Sequence, residues 1–147
     1  MTDSPGVSRA RPVHLRWRSV ALVGSGGAVG TAARQGLALA VPVGGGLPVI
    51  MGINIVGAFL LGMLLESLVR PGRGERGRVT LGLLLGTGFL GGFTTYSALA
   101  TDTALLTGDG QFGAALLYSF ATLALGGVAS WAGIVVGGRL PVEGQRR

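Results

Sequence analysis

Four long apolar runs, separated by short polar segments, are the feature that most constrains the fold of this chain. The runs cover residues 19–41, 48–69, 79–106 and 112–138. Each is near or above the roughly 20 residues that a helix needs to cross the hydrocarbon core of a bilayer. Only 12% of the 147 residues are charged, against roughly a quarter in soluble domains. The pattern predicts an all-α membrane protein with four transmembrane helices.

The arginines give the expected domain division and orientation. They concentrate in an N-terminal tail (1–18), in the loop 70–78 and in a C-terminal tail (139–147), whereas the other two loops carry none. In a four-span chain these three segments share one face, and arginine marks the cytoplasmic face. We therefore expect a four-helix transmembrane domain over residues 19–138 of a plasma-membrane protein, with both tails in the cytoplasm.

Composition narrows the function. The net charge of +6 could suggest a nucleic-acid partner, but the arginines lie between apolar runs, which favours a membrane-lipid environment and no nucleic acid. Cysteine is absent and His14, the one histidine, lies in the tail, so thiolate or imidazole metal sites are not expected. The spans contain no closely spaced carboxylate pair and the chain has no nucleotide-binding loop, so we do not expect an enzyme.

One span contains a poor helix former, GTGFLGGFTTYSALA at residues 86–100. Four glycines loosen the backbone, since each costs about 1 kcal/mol inside a helix. Non-helical backbone at membrane depth is tolerated only where it is buried in protein or lines a cavity. A helix break that forms an ion site is one interpretation, and close helix packing through small residues is the other. Composition alone leaves both open.

A few polar residues lie inside the spans and are the candidate functional residues. Arg34 interrupts the first run, and an ionisable residue there is a functional hypothesis, although its side chain could snorkel to a headgroup. The amide of Asn54 lies in an apolar span and needs a hydrogen-bond partner there. That partner is either a group on a neighbouring helix or an ion. Tyr118 and Thr122 share a helix face, where their hydroxyls could line a pore or bond back to the preceding turn.

Three motifs carry a family resemblance. GGAVGTAAR (26–34) resembles the first-helix GGxxGAxxR motif of the small four-helix fluoride channels, the Fluc or CrcB family. GINIVGAFLLG (52–62) resembles their second-helix GTxxxNxxGxFxxG, with Asn54 at the Asn position, and GFLGGFTTYS (88–97) resembles their third-helix GxxGGxTTFS. Motif order and spacing agree over residues 20–138, nearly the whole chain outside its tails.

The resemblance implies a dual-pore, antiparallel dimer that passively exports fluoride. In such channels the third helix is broken mid-membrane, and backbone carbonyls of both subunits hold a structural sodium ion there; the matching positions are Gly91 and Thr94. The residues implied for the fluoride pathway are Asn54 as a pore donor, Ser97, Tyr118 and Thr122 as pore-lining hydroxyls, and Arg34 in the vestibule.

One departure from the family pattern bears on the pore. The family motif continues TTFSTF, and its two Phe residues form an aromatic box, but this chain has TTYSAL, with Tyr96 and Leu99 at those positions. One or both pores could therefore be altered. The arginine bias also argues for a single orientation, whereas a self-pairing antiparallel dimer needs both. We therefore favour a heterodimer with a homologous subunit of opposite orientation, a homodimer being the alternative.

Two other classes stay open as alternatives. A small multidrug exporter also has four helices, but it needs a membrane-embedded carboxylate, and Glu66 and Asp102 lie near span ends, where we expect them to be solvated. A non-conducting membrane scaffold held by glycine packing would leave Arg34, Asn54 and the poor third helix without a shared explanation.

Overall fold

The computed structural model describes residues 16–41, 46–71 and 74–140, and all regular secondary structure within these ranges is helical. The predicted tails lie largely outside these ranges. The elements in chain order are α1 (Trp17–Ala40), α2 (Gly46–Val69), α3 (Glu75–Leu81), a π-helical segment (Gly82–Leu90), α4 (Gly91–Phe93), α5 (Tyr96–Gly108) and α6 (Phe112–Arg139).

Three helical stretches of the described residues are long and apolar enough to cross a membrane. They are Gly46–Val69, Glu75–Gly108 and Phe112–Arg139. The first predicted span corresponds to α1, whose 24 residues would reach about 36 Å at 1.5 Å per residue. Its polar side chains and glycines make it less apolar than the three stretches named above. That α1 also crosses the membrane therefore stays a prediction.

The helices pack in two close pairs, α2 against α6 and α1 against the π-helical segment and α4, while α5 packs on α6. Between α2 and α6 the backbones nearly touch. A Cβ atom on Gly62 would lie 3.1 Å from Cα of Ser130, and one on Gly133 would lie 3.0 Å from the backbone nitrogen of Met63. Small residues at these positions permit the close approach, as in other membrane helices.

The glycines of the third predicted span also serve packing. Gly86 and Gly88 lie within the continuous π-helical segment, and Gly91 and Gly92 lie in α4. Gly88 lies against α1, where its Cβ would meet Cα of Gly26 at 3.1 Å. Close packing, one of the two interpretations that the sequence leaves open, therefore describes Gly88 and Gly92, where tight contact with α1 outweighs the cost of a glycine in a helix.

The helical path is interrupted two residues later, at Thr94 and Thr95. Thr94 has φ −79° and ψ 157°, and Thr95 has φ −146° and ψ 120°, so both are extended. The Thr95 hydroxyl accepts a hydrogen bond from the Ala98 backbone nitrogen at 3.1 Å, which caps the start of α5. That this interruption lies at mid-membrane depth stays a prediction.

The described parts of the arginine-rich segments meet at one end of the bundle. Arg16 and Arg76 line the same cleft between α1 and α3. Arg70, which follows α2, donates to the carbonyl of Leu140 after α6 and pairs with Glu66 at 3.4 Å. This agrees with the prediction that the three segments share one face.

Candidate functional site

A groove of about 410 Å³ runs beside the interrupted helix, between α2, the π-helical segment and α6. It brings together most of the residues that the sequence singles out. The predicted site residues that line it are Asn54, Gly91, Thr94, Tyr96, Leu99 and Thr122. Arg34, Ser97 and Tyr118 are not part of its lining.

Asn54 hydrogen-bonds the backbone at the interruption through both ends of its side-chain amide. Its Oδ1 accepts from the Thr95 backbone nitrogen at 2.8 Å, and its Nδ2 donates to the Thr95 carbonyl at 3.1 Å. The backbone N–H can only donate and the carbonyl can only accept, so these two bonds determine the amide orientation. Asn54 therefore holds the extended residue in place.

At the interruption, two backbone carbonyls lack the N–H donors that a continuous helix would supply. In a continuous helix the Thr95 N–H would donate to the Gly91 carbonyl, but here it donates to Asn54. The Ala98 N–H would likewise serve the Thr94 carbonyl, but it donates to the Thr95 hydroxyl. Both carbonyls belong to groove-lining residues. Carbonyl oxygens of this kind can replace the hydration shell of a monovalent cation.

Arg34 of α1 contacts the backbone of α4, just before the interruption. Its Nε donates to the Gly92 carbonyl at 3.4 Å, and the Thr31 hydroxyl donates to the same oxygen, also at 3.4 Å. A continuous helix would supply the Tyr96 N–H to this carbonyl. The half-buried Arg34 therefore supports the interruption, which the sequence did not predict.

Two polar pairs join α5 and α6 outside the groove lining. The buried Tyr118 donates its hydroxyl to Asp102 at 3.1 Å, and the Thr103 and Ser119 hydroxyls lie 2.8 Å apart. Asp102 thus has a hydrogen-bond partner on α6, which the sequence did not predict. The signal in the sequence is that the two residues of each pair are 16 positions apart, one on each side of the turn at residues 109–111, as in an antiparallel helix pair.

Thr122 and Ser97 have hydroxyl groups that are already engaged. Thr122 donates its hydroxyl to the Tyr118 carbonyl at 2.7 Å. This side chain therefore bonds back to the preceding turn, which is one of the two alternatives that the sequence leaves open. The Ser97 hydroxyl lies outside the groove lining, 3.1 Å from that of Thr95.

The residues at the aromatic-box positions differ in their surroundings. The Tyr96 side chain is 79% exposed, whereas Leu99 is buried, and both line the groove. Phe93 stacks on Phe89 with ring centroids 5.9 Å apart and takes no part in the lining. No other aromatic side chain of the described residues lines the groove in place of the two missing Phe residues.

Comparison with known proteins identifies the family. The family described as CrcB-like protein, Camphor Resistance (CrcB), matches residues 21–134. The chain belongs to the CrcB family. The match to the CrcB family includes all of the groove and both residues of the interruption.

Named relatives extend along most of the chain. A protein from Leifsonia xyli named fluoride-specific ion channel FluC 2 is 51% identical over 127 residues, covering 86% of this chain and 88% of the relative. FluC proteins from Phenylobacterium zucineum and Thermus thermophilus are 40% and 38% identical, covering 84% and 81% of this chain and 98% and 94% of the relatives. Together with the apolar helices, membership of the CrcB family makes this chain a multi-pass membrane protein of a channel family, which agrees with the expectation that it is not an enzyme.

Proposed function

We propose that this chain is a subunit of a fluoride-selective passive channel that lets fluoride leave the cytoplasm. The observation that carries the proposal is its 51% identity, over 86% of its length, to a protein named as a fluoride-specific ion channel. The groove beside Asn54 supplies a place for the ion, since it gathers six of the site residues that the sequence predicts.

The groove has donors suited to a small, strongly hydrated anion. A pore for such an ion must replace its water with hydrogen-bond donors. The Asn54 amide carries two hydrogens; one serves the Thr95 carbonyl and the second is left for an anion. Aromatic ring edges carry partial positive charge, and the exposed Tyr96 ring supplies one at the groove.

The carbonyls of Gly91 and Thr94 fit a structural sodium ion. They are uncharged oxygen ligands in the groove, and their usual helical donors bond elsewhere. Two oxygens from one chain are few for a cation that prefers several. A second, antiparallel subunit that presents the same two carbonyls would complete the set, and the ion would then hold the subunits together.

The partner in this proposal is a homologous subunit of opposite orientation. The helices expose many large apolar side chains, such as Leu116, Phe120 and Leu123 on α6, which suits lipid and a subunit interface. The concentration of arginines at one end supports a single orientation for this chain. A heterodimer would cover part of the exposed apolar surface and would let this chain keep a single orientation.

Fluoride efflux from liposomes, read with a fluoride electrode, tests the proposal. The full chain is reconstituted alone and together with a homologue of opposite arginine bias. We expect fluoride flux with the partner and none from the chain alone, and chloride flux in neither case. Flux from the chain alone would overturn the heterodimer, and absence of flux from an assembled pair would overturn the channel in favour of a scaffold.

A further inference from the structure

A second cavity lies at the arginine-rich end, away from the groove. This cleft of about 330 Å³ separates the start of α1 from α3. Three arginines line it: Arg16, Arg18 and Arg76. The single acidic residue in its lining is Glu75.

The described residues that line the cleft carry a net positive charge. Three guanidinium groups and one carboxylate give a net charge of +2 at neutral pH. Within the described residues the one ion pair joins Arg70 and Glu66, so none of the three cleft arginines is paired with a described acid. Arginine suits phosphate groups because its planar fork matches their oxygens.

The same cleft has an apolar wall. It consists of Leu22 from α1, Val79 from α3 and Leu83 from the π-helical segment, and Ser19 and Thr80 complete the lining. A free phosphate ion would gain nothing from the apolar side chains, whereas a phosphate that carries a glycerol and acyl chains would contact them. The cleft also lies where the apolar stretches begin, which is the depth of lipid headgroups.

We propose that this cleft binds the phosphate group of an anionic phospholipid. The arginines hold the phosphate oxygens, and the apolar wall accommodates the start of the acyl region. A zwitterionic lipid is disfavoured because its headgroup cation would meet the guanidinium groups. The proposal is independent of fluoride conduction, since none of the cleft residues lines the groove.

Native mass spectrometry of the full chain in neutral detergent tests this site. The chain is titrated with phosphatidylglycerol, with phosphatidylcholine and with sodium phosphate. We expect phosphatidylglycerol to bind at least about fivefold more tightly than phosphatidylcholine, since each arginine near an anionic lipid contributes about that factor. Sodium phosphate at the same concentration should not displace the lipid; displacement would show that the free ion, and not the lipid, is the ligand.

Variants localise the binding. R16Q/R76Q should lower phosphatidylglycerol affinity about 25-fold, at about fivefold for each arginine, and R16K/R76K should retain most of it. R139Q is the matched control, because Arg139 ends α6 at the same end of the bundle outside the cleft, and it should change affinity less than twofold. An equal loss in R139Q would overturn the site in favour of diffuse attraction.

E75Q provides a test that does not depend on removing an arginine. Loss of the one carboxylate raises the charge of the cleft, so this variant should bind phosphatidylglycerol about fivefold more tightly, the factor for one charge near an anionic lipid. An affinity that stays constant or falls would overturn the proposal even if R16Q/R76Q failed to fold.

Discussion

At the scale of single residues, Asn54 links structure to the proposed conduction. Both atoms of its amide end bond the backbone of Thr95, so the side chain acts first as a positioning group for the interruption. Its remaining hydrogen is what an anion in the groove could use. Asn54 can therefore serve conduction only while it also holds the Thr95 backbone.

Asn54→Ala should destabilise the fold and abolish fluoride flux. The Thr95 N–H and carbonyl would both lose their partner, and unsatisfied buried polar groups cost about 1–3 kcal/mol. The measurement is the free energy of unfolding in detergent, from a denaturant titration followed by circular dichroism, with liposome efflux alongside.

Ser67→Ala on the same helix is the control for Asn54→Ala. The Ser67 hydroxyl bonds only the Leu64 carbonyl of its own helix, so its loss should change the unfolding free energy by less than about 0.5 kcal/mol, as is usual for substitutions away from such features. Equal stability of both variants would show that the Asn54–Thr95 bonds do not hold the interruption.

At the scale of elements, two residue types have different roles in the helical stretch Glu75–Gly108. Its glycines permit close contact with α1, and its two threonines change the direction of the backbone. The wider π-helical geometry over Gly82–Leu90 precedes the interruption, and such segments are frequent at functional sites. The contact with α1 should therefore be sensitive to a single added methyl group.

Gly30→Ala should destabilise the packing of α1 against the stretch Glu75–Gly108. The added Cβ would lie 2.9 Å from the backbone nitrogen of Phe93 and closer still to the Phe89 carbonyl oxygen. Overpacking against rigid backbone costs about 1–3 kcal/mol. The same denaturant titration in detergent measures the change.

Gly24→Ala is the matched substitution on the same helix. No atom lies within 4 Å of a Cβ at Gly24, so this variant should gain up to about 1 kcal/mol from the higher helix propensity of alanine. If Gly30→Ala were as stable as Gly24→Ala, the close approach of α1 to Phe89 would not exist in the folded protein.

At the scale of the whole molecule, charge and exposed surface argue for a fixed orientation and a covered face. The described arginine-rich segments gather at one end, and the groove that holds the proposed ion ligands is open to one side of the bundle. A second subunit would close it. The orientation of this chain is therefore the property that separates a homodimer from a heterodimer.

Single-cysteine labelling of intact cells measures that orientation, because the chain has no cysteine of its own. Gly74→Cys places the thiol in the arginine-rich loop, where a Cβ meets no atom within 4 Å, and Asp109→Cys places it in the exposed turn before α6. We expect a membrane-impermeant maleimide to label the cysteine at position 109 and to spare the one at position 74. Labelling of both sites to half of their total would show that the chain inserts both ways, which a homodimer requires.

The sequence by itself determined the class of protein, three helical stretches that are apolar enough to cross a membrane, and the family. Long apolar runs and the placement of arginines are local properties of the sequence. The motifs around Asn54 and Thr94 have a fixed spacing, so they too are recognisable without knowledge of the tertiary contacts. For the same reason the sequence named candidate site residues on all four predicted spans, and those that line the groove lie on the second, third and fourth.

Only the tertiary structure decided how the polar residues are used. Glycine is compatible both with a helix break and with tight packing, and the neighbouring backbone of α1 selects packing for Gly88, while the Asn54 amide stabilises the extended conformation at Thr95. Arg34 and Asp102 likewise gain their partners, Gly92 and Tyr118, from other helices. A hydrogen bond between residues far apart in the chain depends on how the helices pack, and a single sequence does not specify that contact.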